Sequence, residues 1–217
     1  MTGSDAVPAG SAARPRRIGM MGGSFDPVHV AHVALAETAL RHLALDEVRW
    51  IPVGQAWQKA RQLAPGADRL AMVQAAIAHE PRFVLDDCEV RREGPSYTID
   101  TVRALQSRWP EAEWAMIIGQ DQYANLPTWH GWEELLDRVT LAVACRGDAQ
   151  PQAPAALQQR AHRAVRLPLP PYHVSSTDIR SRLAQGVAPS TLVPALVPEP
   201  VARYIATHQL YAAGAPR

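Results

Sequence analysis

Short apolar runs of β-branched and aromatic character alternate along the chain with stretches whose apolar residues recur at helical spacing. The first run, 18–21, is apolar throughout and stops at Gly22-Gly23, which reads as a buried strand entering a tight turn. Over 29–43, Val30, Val33, Ala34, Leu40 and Leu43 recur with helical spacing, and 47–53 is again strand-like and closes at Pro52-Val53-Gly54. Strand, loop, helix and strand make one βαβ unit. The same logic predicts further strands at 82–86, 113–118, 139–144 and 165–167. Further helices are predicted at 67–79, 96–109, 132–136, 155–164, 176–185 and 200–208. This alternation predicts an α/β fold: a doubly wound, mostly parallel, Rossmann-like sheet with right-handed crossovers. Its ligand crevice belongs at the carboxyl ends of the strands, where the strand order reverses.

Composition narrows the function classes. The chain has 217 residues, 47% of them hydrophobic, enough for one substantial core. A formal net charge of +1 argues against a strongly basic nucleic-acid footprint. No apolar run is long enough to span a bilayer. Cys88 and Cys145 lie far apart with no CxxC spacing, so free thiols in a reducing, cytoplasmic setting are expected. Residues 1–16 are rich in Ala, Gly, Ser and Pro, lack a signal-peptide apolar segment and are expected to form a disordered tail. Oligomeric state is left open; a homo-oligomer is compatible with the chain.

Chemistry concentrates in two segments. Gly22-Gly23-Ser24-Phe25-Asp26-Pro27-Val28-His29 follows the first strand, where glycines permit close backbone approach to a phosphate and a helix N-terminus faces the same space. It is neither a Walker loop nor a GxGxxG fingerprint. His29 and His32, three apart, share the first turn of the helix and offer two imidazole donors. The same spacing suits a metal pair, although no third ligand follows at a recognisable interval, or polar residues at a helix start. The second segment, Ser175-Ser176-Thr177-Asp178-Ile179-Arg180, opens a helix. Its hydroxyls can simply cap that helix; with Arg180 one turn in, they also make an anion site.

Together these residues carry a resemblance. Gly22 to His32 is similar to the Gly-Gly-Ser-Phe-Asp-Pro-x-His-x-Gly-His opening of nucleotidyltransferases with a His-x-Gly-His signature, and Ser175 to Arg180 resembles their Ser-Ser-Thr-x-Ile-Arg closing motif. The chain looks like a bacterial nicotinate-nucleotide adenylyltransferase from about residue 18 to 211. Ala31 departs from the family glycine, and its methyl would crowd adenine or ribose if the backbone is in close contact there. The resemblance implies one nucleotidyltransferase domain over 17–217 with a helical C-terminal end. It implies an ATP site at Gly22, Gly23, Ser24, Phe25, His29, His32, Ser175, Ser176, Thr177 and Arg180.

For the acceptor, Ser96-Tyr97-Thr98-Ile99-Asp100-Thr101 resembles a family helix start, which puts Thr98 near nicotinate; a helix cap is the plain alternative. Gly119-Gln120-Asp121 and Leu126-Pro127-Thr128-Trp129 match two further family segments. Trp129 offers an aromatic face to a pyridine ring, and the backbone at Trp129 and His130 offers N–H donors to a carboxylate. Trp132 reads as core. Lys59 and Arg69 resemble a family basic pair, and Arg146 a family arginine near the mononucleotide phosphate; each is otherwise a surface charge.

The implied reaction joins nicotinate mononucleotide to the AMP part of ATP in NAD biosynthesis. His29, His32 and Arg180 would be catalytic, and Mg²⁺ would be delivered with ATP rather than held by a protein metal site. Rival readings are an adenylyltransferase for nicotinamide mononucleotide or phosphopantetheine, a non-catalytic nucleotide-binding regulatory module, and a metal hydrolase.

Overall fold

The computed structural model describes residues 14–54, 63–147 and 149–213, apart from the side chain of Arg146. Six strands form one sheet in the order β3-β2-β1-β4-β5-β6, and every pairing is parallel. The strands are β1 Arg17–Gly23, β2 Glu47–Pro52, β3 Phe83–Leu85, β4 Glu113–Gly119, β5 Thr140–Arg146 and β6 Ala164–Leu169. Parallel neighbours need crossovers, and helices supply them. The crossover helices are α1 Val30–His42, α2 Gly66–Ile77, α3 Thr98–Arg108, α4 Gln120–Asn125, α5 Trp132–Arg138 and α6 Ala155–Gln158, and α7 Ser176–Ala184 and α8 Glu199–Thr207 follow the last strand.

Side-chain alternation splits the core in two. Along β4, Ala115 and Ile117 point to one face of the sheet, while Trp114, Met116 and Ile118 point to the other. The first face packs against Ala36, Ala39 and Leu40 of α1, Met72 and Val73 of α2, Ile179 of α7 and Val201 of α8. The second packs against Ile99, Val102 and Leu105 of α3 and Leu135 of α5. Apolar cover on both faces is the doubly wound arrangement that the sequence predicts. Strand order reverses between β1 and β4.

Three elements differ from expectation. The helix expected over 155–164 is only the four residues of α6, because the chain re-enters the sheet early: Leu141 N–H donates to Arg163 O at 2.8 Å. β6 starts one residue earlier than expected and runs two residues further, to Leu169, and as an edge strand it tolerates Pro168. α4, which the hydrophobic pattern does not reveal, turns the chain sharply after β4.

Most of the expected tail, residues 1–13, lies outside the described residues. Arg14 and Arg16, which that expectation included, are tied down: Arg14 pairs with Asp46 at 2.6 Å and Arg16 with Glu47 at 2.5 Å. Both cysteines are free, as expected. Among the described residues no helix is long and apolar enough to cross a membrane.

Candidate active site

A cavity of about 760 Å³ opens at the carboxyl ends of β1 and β4, the point of strand-order reversal. Its floor is Met20 to Gly23 of β1 and Met116 to Ile118 of β4. His32, Ser176, Thr177 and Arg180 form one end. Thr98, Trp129 and His130 form the other. Ser24 and Phe25 also line it, so eleven of the predicted site residues converge.

The local reason for the glycines differs from the expected one. Gly22 and Gly23 lie inside β1, opposite Ile51 and Pro52, and neither has a positive φ. A Cβ on Gly22 would meet nothing within 4 Å, so its role is to leave room in the cavity. The turn falls on Phe25, at φ 45°, whose buried ring packs 5.4 Å from Trp50 and edge-on to His32 at 5.1 Å.

His29 is also placed differently. It is the extended residue just before α1, not part of its first turn. Its ring stacks on that of His32 at 3.6 Å, and its backbone N–H donates to His32 Nδ1 at 3.2 Å. An accepting Nδ1 places the His32 proton on Nε2, so His32 is held as a donor. His29 itself is only 8% exposed and does not line the cavity, and burial pulls its imidazole down to about 4, which keeps it neutral. No third Asp, Glu, Cys or His among the described residues joins the two rings in a metal cage.

The start of α1 is less open to an anion than the sequence suggests. Val30 N–H donates to Leu196 O at 3.1 Å and His32 N–H to His29 O at 3.0 Å. The start of α7 is better placed. Ser175 Oγ accepts from Asp178 N–H at 3.1 Å, so Ser175 is the cap and does not line the cavity. Ser176 and Thr177 do line it, at the positive end of the helix. Ser176 Oγ donates to Pro27 O at 2.9 Å, which stitches α7 to the opening motif.

At the other end Thr98 is the first residue of α3, with Tyr97 in the capping position, so the cap alternative for Thr98 fails. The Trp129 N–H is committed to Leu126 O at 2.9 Å within a 3-10 turn, which withdraws it from the pair of donors expected for a carboxylate. The His130 ring lies 4.6 Å from that of Tyr97. Trp132 packs against the core as expected.

Of the remaining predicted residues, Asp121 does not line the cavity. Asp121 is exposed and folds back over Gly119, where a Cβ would meet its Oδ1 at 2.6 Å. Lys59 lies outside the described residues, as does most of the 55–66 loop. Arg146 ends β5, paired through its backbone with Leu169. Arg69 is no surface charge: at 3% exposure its guanidinium donates to Ala64 O at 2.9 Å and Ser24 O at 3.1 Å, bracing the loop behind the cavity.

Sequence reasoning missed Glu89 and Gln122, which line the cavity. Thr101 Oγ1 donates to Glu89 Oε1 at 2.7 Å, and burial raises the Glu89 carboxyl. Nothing in a one-dimensional pattern marks Glu89; it becomes visible only when the segment after β3 folds against α3.

A parallel α/β sheet whose switch point carries imidazole, hydroxyl and guanidinium donors on one side and an aromatic recess on the other defines a nucleotide-transferring enzyme. Residues 20–182 match the cytidylyltransferase-like family. The chain is 55% identical to the "probable nicotinate-nucleotide adenylyltransferase" of Methylibium petroleiphilum, over 93% of this chain and 95% of that one. Identity to the protein of the same name from Albidiferax ferrireducens is 46%, over 90% and 98%. In fold it is similar to the Plasmodium falciparum nicotinic acid mononucleotide adenylyltransferase solved in complex with NaAD. The TM-score is 0.74 at 17% identity, covering 90% of this chain and 97% of that one. The chain therefore belongs to the cytidylyltransferase-like family, among the nicotinate-nucleotide adenylyltransferases.

Proposed function

We propose that this protein transfers the adenylyl group of ATP to the 5′-phosphate of nicotinate mononucleotide, giving deamido-NAD and pyrophosphate. The observation that carries the reading is one continuous cavity with phosphate-type donors at one end and an aromatic recess at the other. Its relatives' names point the same way.

An acceptor phosphate oxygen attacks the α-phosphorus of ATP. The bond from that phosphorus to the β-bridging oxygen breaks, and its electron pair leaves with pyrophosphate. The substrate brings its own nucleophile, so positioning and charge stabilisation are what the protein supplies. His32 Nε2–H donates to phosphate oxygens, and His29 holds that ring from behind through the stack and its backbone N–H. Arg180 and the start of α7 hold the departing phosphates. Trp129 stacks on the pyridine ring, with Thr98 and the His130 N–H beside its carboxylate. A divalent cation, Mg²⁺ in this reading, enters as the ATP complex, bound mainly by phosphates and water. Two free thiols suit a cytoplasmic setting.

The test is pyrophosphate release from ATP with nicotinate mononucleotide, its amide analogue or phosphopantetheine as acceptor. Fastest release with the acid is expected. A preference for phosphopantetheine, or ATP binding with no release at all, overturns the reading.

A further inference from the structure

Asp26 belongs to the opening motif, yet it does not line the cavity. Its carboxylate is fully buried, at 0% exposure, a placement that is strongly unfavourable unless hydrogen bonds and charge offset it. Among the described residues, three distant parts of the chain supply them. Tyr211 O–H donates to Oδ1 at 2.7 Å, and Ala64 N–H donates to the same oxygen at 3.3 Å. Arg180 Nη1 lies 4.0 Å from Oδ2 and donates to the Asp26 backbone oxygen at 2.6 Å. The other end of that guanidinium donates to Thr177 Oγ1 at 3.2 Å, and Arg180 and Thr177 both face the cavity.

The position of Tyr211 is specific. Its backbone takes φ 65°, a left-handed conformation unfavourable for a non-glycine residue. The segment follows α8, itself fastened to α2 by Tyr204 O–H donating to Asp68 at 2.9 Å. The phenol is thus delivered to one oxygen of a buried carboxylate whose second oxygen faces Arg180.

We propose that Tyr211 is a positioning residue for the transfer reaction: by occupying Asp26 Oδ1 it keeps the carboxylate from drawing Arg180 out of the phosphate end of the cavity. Without that donor, the buried carboxylate pulls harder on Arg180. Arg180 then closes the 4.0 Å gap into a direct ion pair and leaves the departing phosphates less well held. The inference rests on the phosphate-holding role given to Arg180 above.

Tyr211→Phe removes the hydroxyl and keeps the ring. In the full chain, pyrophosphate release at saturating substrates is compared for wild type, Tyr211→Phe, Arg180→Ala and the double variant. Tyr211→Phe is expected to lower kcat roughly tenfold and to weaken product inhibition by inorganic pyrophosphate by a similar factor, with KM for nicotinate mononucleotide changed less than about twofold. In the Arg180→Ala background the same change is expected to cost less than about twofold, because the group it acts through is gone. Wild-type kcat in Tyr211→Phe overturns the inference alone, and so does an undiminished tenfold loss in the Arg180→Ala background, which marks a merely structural tyrosine. Wild-type turnover in Arg180→Ala overturns the reading of the phosphate end and the inference with it.

Discussion

Gly54, just beyond β2, touches no substrate in the proposed reaction, yet replacing it with alanine should damage both the fold and the acceptor end of the site. A Cβ at this position falls 2.1 Å from Glu89 O, 2.9 Å from the Glu89 carbonyl carbon and 3.0 Å from Ser96 Oγ. An ordinary carbon–oxygen approach is about 3.3 Å. The Glu89 carbonyl must therefore retreat by roughly 1 Å, and as main chain it has no rotamer through which to escape. Overpacking of this kind costs about 1–3 kcal/mol, and this site belongs at the upper end. The displacement also reaches the chemistry. Glu89 is bonded to buried Thr101 of α3, the helix whose first residue is Thr98. A shift of about 1 Å in a substrate-positioning group lowers turnover by up to about 100-fold. Urea unfolding reads the first effect, and kcat/KM for nicotinate mononucleotide reads the second. Gly22→Ala is the control, since its Cβ meets nothing within 4 Å and stability should stay within about 0.5 kcal/mol. An unfolding midpoint and kcat/KM for Gly54→Ala that both match wild type would refute the steric argument.

Other expectations follow from the same geometry. His32→Ala should reduce turnover by orders of magnitude with the fold intact by circular dichroism, and His29→Ala should do the same by releasing the His32 ring; near-normal rates in both variants would remove the imidazoles from the mechanism. Burial holds the His29 imidazole at about 4 against 6.5 when exposed, so between those values the unfolded chain binds a proton that the folded chain refuses. Stability from this group is therefore fully present above pH 6.5 and lost as pH falls towards 4. About 2 kcal/mol should disappear between pH 7.5 and 5 in urea titrations, and His29→Asn should abolish that share of the slope. Trp129→Ala should raise KM for nicotinate mononucleotide roughly tenfold with little change in KM for ATP, measured by pyrophosphate release.

The sheet was legible because its strands carry buried apolar runs and its helices a clear 3.6-residue period, as α1 and α3 illustrate. Where the pattern failed, a tertiary bond outweighed local tendency: α6 is cut short by the pairing that starts at Arg163, and α4 has too few residues for a period to register. The motifs identified the residues of the cavity better than their reasons. Gly22 serves by leaving space rather than by turning the chain, and Phe25 takes the strained backbone instead. Ser175 spends its hydroxyl on its own helix, and the α1 amides that a motif reading leaves open are partly consumed by Leu196, 166 positions away from Val30. Contacts across such separations, like those of Glu89 and Arg69, leave no periodic trace in a single sequence.

The two ends of the cavity come from different stretches of chain. The donor groups belong to β1, α1 and α7, whereas the acceptor recess is built from the start of α3 and the turn around Trp129. Remodelling one stretch leaves the other's framework in place. A scaffold divided in this way can take up a new co-substrate by revising the two short segments around Thr98 and Trp129, while β4 between them and the opposite end of the cavity keep their places.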